Sequence, residues 1–252
     1  IRYRLTVKAD AVPPGEVIRC WIPYPQESHA RQQNVTLITT SPESHYIAPD
    51  QTGQRSVYME QPATSHQPAV FEMELSYRSF AQYFDLDRLV LKPYSTGSLL
   101  YNKYTSEEKP HIVFTEKVRK LSDSIVGKEK NPVEIVRKIF YWIDENIPWA
   151  GALEYSIMPD IPEYVIDNRH GDCGMQTLLF MTLARYNGIP VKWQSGWNMS
   201  PGGIDLHDWC EVYYEGIGWV PLDMSFGRLP SADPMIRDYY RSGIDAFRMI
   251  VN

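Results

Sequence analysis

The sequence predicts an α+β protein in which a block of strands is followed by helices and then by a second group of strands. Two observations lead to this fold class. Residues 1 to about 85 alternate in hydrophobicity between closely spaced turns, which is typical of half-buried strands. The apolar period then changes to that of amphipathic helices, before alternation returns near the C-terminus. A chain of 252 residues, 43% of them hydrophobic, can bury a core in each part.

The N-terminal part is predicted to be an antiparallel β-sandwich, which we assign to residues 1–95. Segments 2–9 and 17–24 alternate on either side of a Pro-Pro-Gly turn. The clearest strand is 69–80, where every second side chain is apolar. Its inward-facing residues are expected to be Phe71, Met73, Leu75 and Tyr77. Short strands at this spacing favour a sandwich.

Residues 96–252 are predicted to form a second domain that begins with helices. Thr115 is suited to cap the first helix, and Gly127 to end it. Asn131 is followed by a proline and then by Glu134, which are the features of a capping box. Helices with wide apolar faces are therefore expected to pack on the later strands.

Four segments carry no clear period. Residues 85–109 are interpreted as a mixed link between the two halves, and 159–167 as an irregular approach to a turn. Residues 198–206 are interpreted as a polar, flexible loop, because they contain Pro-Gly-Gly. One short helix is expected within 235–241, before a last short strand.

Cys173 lies at the start of a predicted amphipathic helix that runs from Met175 to Asn187 and stops at Gly188. Asp172 is a favoured N-cap residue. A thiol reacts as its thiolate, and a helix N-terminus favours negative charge. Cys173 is therefore a candidate nucleophile. The alternative is a buried thiol at a helix start, since free cysteine is among the most buried residue types.

His207 and Asp223 are the candidate partners of this thiol. His207 opens one strand of a predicted hairpin and Asp223 ends the next, so antiparallel pairing brings both to one end of the sheet. A cysteine nucleophile needs a base, and the base needs a third group that orients it. The alternatives are a strand-end histidine bonded to a backbone carbonyl and an ordinary turn carboxylate.

Strand alternation separates His207 and Trp209 from Asp208 and Cys210. Cys210 is therefore expected to pack in the core rather than to pair with Cys173. Asp208 is expected to point across the sheet, where it would be harmless. A carboxylate turned toward the imidazole would instead raise the pKa of the histidine.

Several motifs between residues 115 and 225 resemble the transglutaminase-like superfamily. They are Gly171-Asp172-Cys173, Arg185-Tyr186-Asn187-Gly188-Ile189-Pro190-Val191, Gly196-Trp197, His207-Asp208-Trp209 and Gly218-Trp219-Val220-Pro221-Leu222-Asp223. The resemblance implies a papain-like core, with helices packed on an antiparallel sheet, after a β-sandwich found in many bacterial members. It also implies that Cys173 is the nucleophile, His207 the base and Asp223 the orienting residue. Asp208 departs from the usual pattern, in which a small residue follows the histidine.

A thioester mechanism also needs hydrogen-bond donors for the oxyanion. The backbone N–H of Cys173 is one candidate. Trp149 and Asn168 are candidate side-chain donors, and a packed ring is the alternative for Trp149. Gln176 lies one turn past Cys173 and is a candidate lining residue. Trp209 is a candidate cleft residue, although aromatic residues in strands often serve sheet packing.

The reaction predicted from the sequence is hydrolysis of an amide bond in a protein or peptide through a Cys173 thioester. The superfamily includes amine transferases, peptidases, glycoprotein deglycosylases and inactive forms, so two alternatives stay open. They are amine transfer to a protein glutamine and a catalytically silent binding module. Retention of all three triad residues argues against the silent module. The polar loop at 198–206 favours water, because an open rim admits solvent.

Composition excludes several other classes. The net charge is −6 and no long Lys/Arg cluster occurs, so a nucleic-acid partner is not expected. No apolar run is long enough for a membrane span. The three cysteines are widely spaced and no Asp/Asn-rich loop occurs, so no metal or other cofactor is expected. The chain begins with Ile1 rather than Met, which indicates either a trimmed piece of a longer protein or a mature protein. We expect an extracytoplasmic protein, periplasmic or secreted, whose export signal has been removed.

Overall fold

The computed structural model describes all 252 residues, which form strands and helices in the α+β arrangement expected. The strands are β1 (Arg2–Val7), β2 (Val17–Pro23), β3 (Gln32–Ser41), β4 (His45–Ile47), β5 (Ser56–Pro62), β6 (Ala69–Ser79), β7 (Gln82–Tyr83), β8 (Val191–Ser200), β9 (Gly203–Tyr214), β10 (Gly218–Leu222), β11 (Gly243–Ile244) and β12 (Arg248–Ile250). The helices are α1 (Leu99–Thr105), α2 (Glu116–Val126), α3 (Pro132–Asn146), α4 (Ile161–Asn168), α5 (Cys173–Tyr186), α6 (Pro234–Arg237) and α7 (Tyr239–Ser242). No helix combines the length and the apolar character that a bilayer crossing requires.

The chain contains two compact units. The first unit consists of residues 1–80, 196–206 and 246–252, and the second of 81–195 and 207–245. The first unit thus includes two late segments of the chain in addition to its N-terminal strands.

The first unit is built on two antiparallel three-stranded sheets, ordered β1-β6-β3 and β2-β5-β4. Alternate side chains of both sheets meet in one core, as in a sandwich. Its fully buried members include Ile22, Val57, Met59, Phe71, Met73 and Leu75. The inward face predicted for residues 69–80 is confirmed, with Tyr77 half-buried at its end.

The C-terminal strand β12 completes this unit. It pairs with the end of β8, where Gly196 lies opposite Ile250. A Cβ at Gly196 would overlap the carbonyl oxygen of Met249, so this close approach of two backbones requires glycine. The buried side chain of Gln32 donates to the Ile250 carbonyl at 2.9 Å and accepts from its N–H at 2.7 Å.

In the second unit, helices α2 to α5 pack with one face of the sheet β10-β9-β8 in a single hydrophobic core. The predicted helix starts are confirmed. Thr115 Oγ1 accepts from the N–H of Val118, and Asn131 Oδ1 accepts from that of Val133. Gly127 ends α2 with a φ of 62°, a conformation that favours glycine.

The mixed segment at 85–109 includes the short helix α1. The sequence interpretation was wrong for two other segments that lacked a clear period. The approach at 159–167 is largely the helix α4, because Asp160 accepts from the N–H of Glu163 and caps it. The loop predicted at 198–206 is a hairpin, since β8 and β9 extend to a turn at Pro201-Gly202. The helix expected within 235–241 is divided into α6 and α7.

Candidate active site

The start of α5 positions the candidate nucleophile. Asp172 is the N-cap, and its Oδ1 accepts from the N–H of Met175 at 3.0 Å. The same carboxylate accepts from the hydroxyl of Tyr155. The helix therefore begins at Cys173, two residues earlier than predicted, and the thiol lies in its first turn.

His207 and Asp223 form a buried pair beside the end of β10. Leu222, the last residue of β10, pairs with Cys210 of β9, so Asp223 lies beside the middle of β9. His207 does not open its strand as predicted, because β9 begins at Gly203. The Nε2–H of His207 donates to Asp223 Oδ2 at 2.8 Å, and the two residues are 7% and 0% exposed. The carboxylate thus fixes the imidazole tautomer, which leaves Nδ1 with the lone pair that a base needs.

Backbone donors hold the Asp223 carboxylate in place. Its Oδ1 accepts from the N–H of Ser225 at 3.1 Å and from that of Phe226 at 3.3 Å. The Phe226 ring also packs edge-on against the imidazole of His207, with centroids 5.4 Å apart. The turn after β10 therefore orients both members of the pair.

Trp209 supports the imidazole on a second side. Its ring stacks on that of His207, with centroids 5.9 Å apart and an interplanar angle of 20°. Trp209 is fully buried, and its Nε1–H has no hydrogen-bond partner. This candidate cleft residue is therefore a packing partner of the histidine.

The Cys173 thiol donates its hydrogen bond to Asp208, with Sγ 3.7 Å from Oδ2. The expectation that Asp208 is harmless was wrong. Alternation does separate Asp208 from His207, but it places Asp208 on the face that Cys210 and Val212 share. That face of β9 packs in the same hydrophobic core as α5. Asp208 lies on the same face, at its edge, and therefore contacts the Cys173 thiol at the start of α5.

These surroundings raise the pKa of two groups. Burial and then the Asp208 carboxylate raise the pKa of the Cys173 thiol to about 12. Burial also raises the pKa of Asp208 to about 6, although the neighbouring His207 lowers it. The thiol therefore keeps its proton in the resting state, whereas the helix start alone predicted a lowered pKa.

The Asp208 pKa has a consequence for stability. Because the folded-state pKa lies above the ordinary 3.8, the unfolded chain loses this proton first as pH rises. Stability is therefore lost between about pH 4 and about pH 6, and the penalty is complete above that range. We expect Asp208→Asn to raise the free energy of unfolding by about 1–3 kcal/mol at about pH 8, and by much less at about pH 4.

Urea denaturation at the two pH values measures this difference. Asp205→Asn is the matched control, because Asp205 is an exposed carboxylate of the same strand. A gain of equal size at both pH values would contradict the titration account of Asp208.

The other candidate residues take different positions. Trp149 is 63% exposed. The amide of Asn168 donates to the Tyr164 carbonyl within its own helix at 2.8 Å. Gln176 is buried, and its Nε2 donates to the Ile147 carbonyl at 2.8 Å. The amide nitrogens of Asn168 and Gln176 are thus already engaged. The oxyanion roles of Asn168 and Trp149 and the lining role of Gln176 stay predictions.

Gln176 instead links the two halves of the site. Its Oε1 accepts from the hydroxyl of Ser225 at 2.8 Å. Ser225 in turn donates its backbone N–H to Asp223. This chain of hydrogen bonds connects α5, which carries the thiol, to the turn that carries the carboxylate.

Tyr155 is a site residue that sequence reasoning missed. Its hydroxyl lies so close to Gly174 that a Cβ there would collide with it and would lie 2.9 Å from Asp208 Oδ2. Burial and the hydrogen bond to Asp172 raise the pKa of the phenol, so it remains a donor. Tyr155 lies in a short 3₁₀ turn without hydrophobic periodicity, so no pattern indicated it. The structure holds no group of three or more His, Cys, Asp or Glu side chains suited to a metal ion.

Residues 119–224 match the family model described as the transglutaminase-like superfamily. An uncharacterised protein of Haemophilus influenzae is 26% identical over 137 residues, which are 45% of this chain and 37% of the relative. The chain thus covers little more than a third of that relative's length.

A solved structure with a TM-score above 0.5 shows the same fold. A candidate cysteine protease from Cytophaga hutchinsonii has a TM-score of 0.66 at 18% identity, over 97% of this chain and 81% of its own. The periplasmic domain of TgpA from Pseudomonas aeruginosa has a TM-score of 0.45 at 14% identity, over 89% and 87% of the two chains. The likeness to the Cytophaga hutchinsonii structure establishes the architecture and leaves the chemistry to the site.

Proposed function

Because residues 119–224 belong to the transglutaminase-like superfamily, we propose that the protein is a thiol-dependent acyl-transfer enzyme that hydrolyses an amide bond of a protein or peptide. The observation that carries the proposal is the buried His207–Asp223 pair. Asp208 follows His207 directly in the sequence, and its carboxylate contacts the Cys173 thiol. A histidine with a fixed tautomer and a half-buried thiol at a helix start are the parts that nucleophilic acyl transfer needs.

The first half of the proposed reaction forms a thioester. The S–H proton of Cys173 passes to Nδ1 of His207 as Sγ attacks the amide carbonyl. The C–N bond then breaks, and the leaving amine takes the proton from the imidazolium. Asp223 stabilises the transient imidazolium, and its backbone donors keep it in position.

The second half returns the free enzyme. His207 removes a proton from water, the oxygen attacks the thioester, and the carboxylic acid product leaves as the proton returns to sulfur. Asp208 favours water over an amine in this step. An amine at the thioester would lie near the carboxylate, which favours the charged ammonium, and only a neutral amine attacks.

The 198–206 segment does not favour water as the sequence predicted. The segment interpreted as an open polar rim is a hairpin, with exposed side chains at Ile204 and Leu206. The preference for hydrolysis over amine transfer therefore rests on Asp208 alone.

The choice of acceptor is tested with peptide substrates in the presence of a fluorescent primary amine. We expect acid product to exceed amine incorporation at millimolar amine, and Cys173→Ala to form neither product. Amine incorporation that outruns hydrolysis would support the transferase alternative. Peptide binding without turnover in the wild type would support the silent binding module.

A further inference from the structure

Asp208 has no role in the proposed reaction steps of acylation, yet its carboxylate touches the nucleophile. We propose that Asp208 is a specificity residue that selects substrates with a positive charge, an ammonium or a guanidinium, next to the scissile amide. This inference rests on the proposed function and deepens it, because it names the class of substrate.

The Asp208 carboxylate has few hydrogen-bond partners. Its side chain makes one hydrogen bond, and the donor is the Cys173 thiol, which is a weak donor. The other two carboxylates of the site are well partnered. Asp172 accepts from Tyr155 and a backbone N–H, and Asp223 accepts from His207 and two backbone N–H groups. A half-buried carboxylate without a strong donor favours a cationic partner.

The charged groups around Asp208 also favour a cation. The negative charges of Asp172 and Asp223 raise the pKa of Asp208, because they disfavour its ionised form, whereas His207 lowers this pKa. No lysine or arginine pairs with Asp208. A cation supplied by the substrate would therefore enter a site of net negative charge. Among its three carboxylates, Asp208 has the fewest hydrogen-bond donors to balance its charge.

A cation at Asp208 would also affect the nucleophile. The charge on Asp208 opposes thiolate formation at Cys173. A substrate cation that pairs with Asp208 would remove that opposition. Binding of a cationic substrate would thus also make the thiol easier to deprotonate, whereas a neutral substrate would leave it unchanged.

The distance limits where the charge can lie. Asp208 Oδ2 is 3.7 Å from the sulfur that attacks the carbonyl carbon. A cation in contact with this oxygen lies close to the reacting carbonyl, and a residue beside the scissile bond can place it there. Charges elsewhere on the peptide should have little effect, because exposed charges beyond about 10 Å are screened.

The test uses two peptides that differ only in one group next to the scissile amide, a free amine in one and the acetylated amine in the other. We expect the wild type to prefer the cationic peptide in kcat/KM by about tenfold or more, as one charge-assisted hydrogen bond provides. Asp208→Asn should bring the two peptides within about twofold of each other, and Asp205→Asn should keep the preference.

Two further measurements separate this inference from the proposed function. In Cys173→Ala, which cannot react, fluorescence anisotropy should still show tighter binding of the cationic peptide. Without substrate, Asp208→Asn should react faster with iodoacetamide at Cys173 than the wild type does. A charge preference that survives in Asp208→Asn, or equal binding of both peptides, would overturn the inference. Failure of the wild type to cleave either peptide, with the binding preference intact, would overturn only the proposed hydrolysis.

Discussion

Replacement of Asp223 by asparagine is expected to lower kcat/KM by about 10³- to 10⁴-fold while the fold is retained, by analogy with the same change in a serine triad. The carboxylate oxygen that accepts from His207 Nε2 would become an NH₂ group or an amide oxygen of lower charge. An NH₂ group facing Nε2 would favour the opposite tautomer, so Nδ1 would carry the proton and could not accept another.

The fold should survive because asparagine can still accept from the Ser225 and Phe226 N–H groups at the Oδ1 position. Circular dichroism and thermal denaturation check this point. Asp123→Asn, which changes an exposed carboxylate on α2, is the control for activity. Turnover of Asp223→Asn within about tenfold of the wild type would assign Asp223 a structural role.

Replacement of Trp209 by alanine is expected to lower the free energy of unfolding by about 3–5 kcal/mol, the usual cost of deleting a buried large aromatic side chain. Trp209 is fully buried and stacks on His207. Its loss would leave a cavity beside the imidazole, so activity should fall even at temperatures where the variant is folded. Chemical denaturation and kcat/KM below the melting temperature measure the two effects.

Trp209→Phe distinguishes ring packing from hydrogen bonding. The indole N–H has no partner, so phenylalanine gives up no hydrogen bond and keeps an aromatic face against the imidazole. We expect it to lose less than half as much stability as the alanine variant. Equal losses in the two variants would mean that the six-membered ring of phenylalanine cannot replace the indole packing.

The sequence was sufficient wherever one local rule determines the structure. Side-chain caps at Thr115, Asn131 and Asp172 marked three helix starts, because an N-cap acts within its own first turn. Alternation identified the buried face of β6, and antiparallel pairing placed His207 beside Asp223. The catalytic roles of these residues stay predictions.

The sequence was insufficient where tertiary contacts determine the outcome. Alternation predicted that Asp208 and His207 lie on opposite faces of β9, which is correct. It could not predict that α5 packs against the Asp208 face and brings Cys173 into contact with this carboxylate. Tyr155 comes from an irregular segment whose position depends on the Asp172 carboxylate. The turn at Pro201-Gly202 has loop composition, yet two residues are enough to reverse paired strands.

The most direct test of the account is intact-protein mass spectrometry of the enzyme quenched in acid during turnover of an amide or activated ester substrate. Acid quenching preserves a thioester long enough for peptide mapping. The account predicts one added acyl group, located on Cys173, absent from Cys173→Ala and discharged when the enzyme returns to neutral pH. Product formation without any acyl group on Cys173, or an acyl group on Cys20 or Cys210 instead, would contradict it.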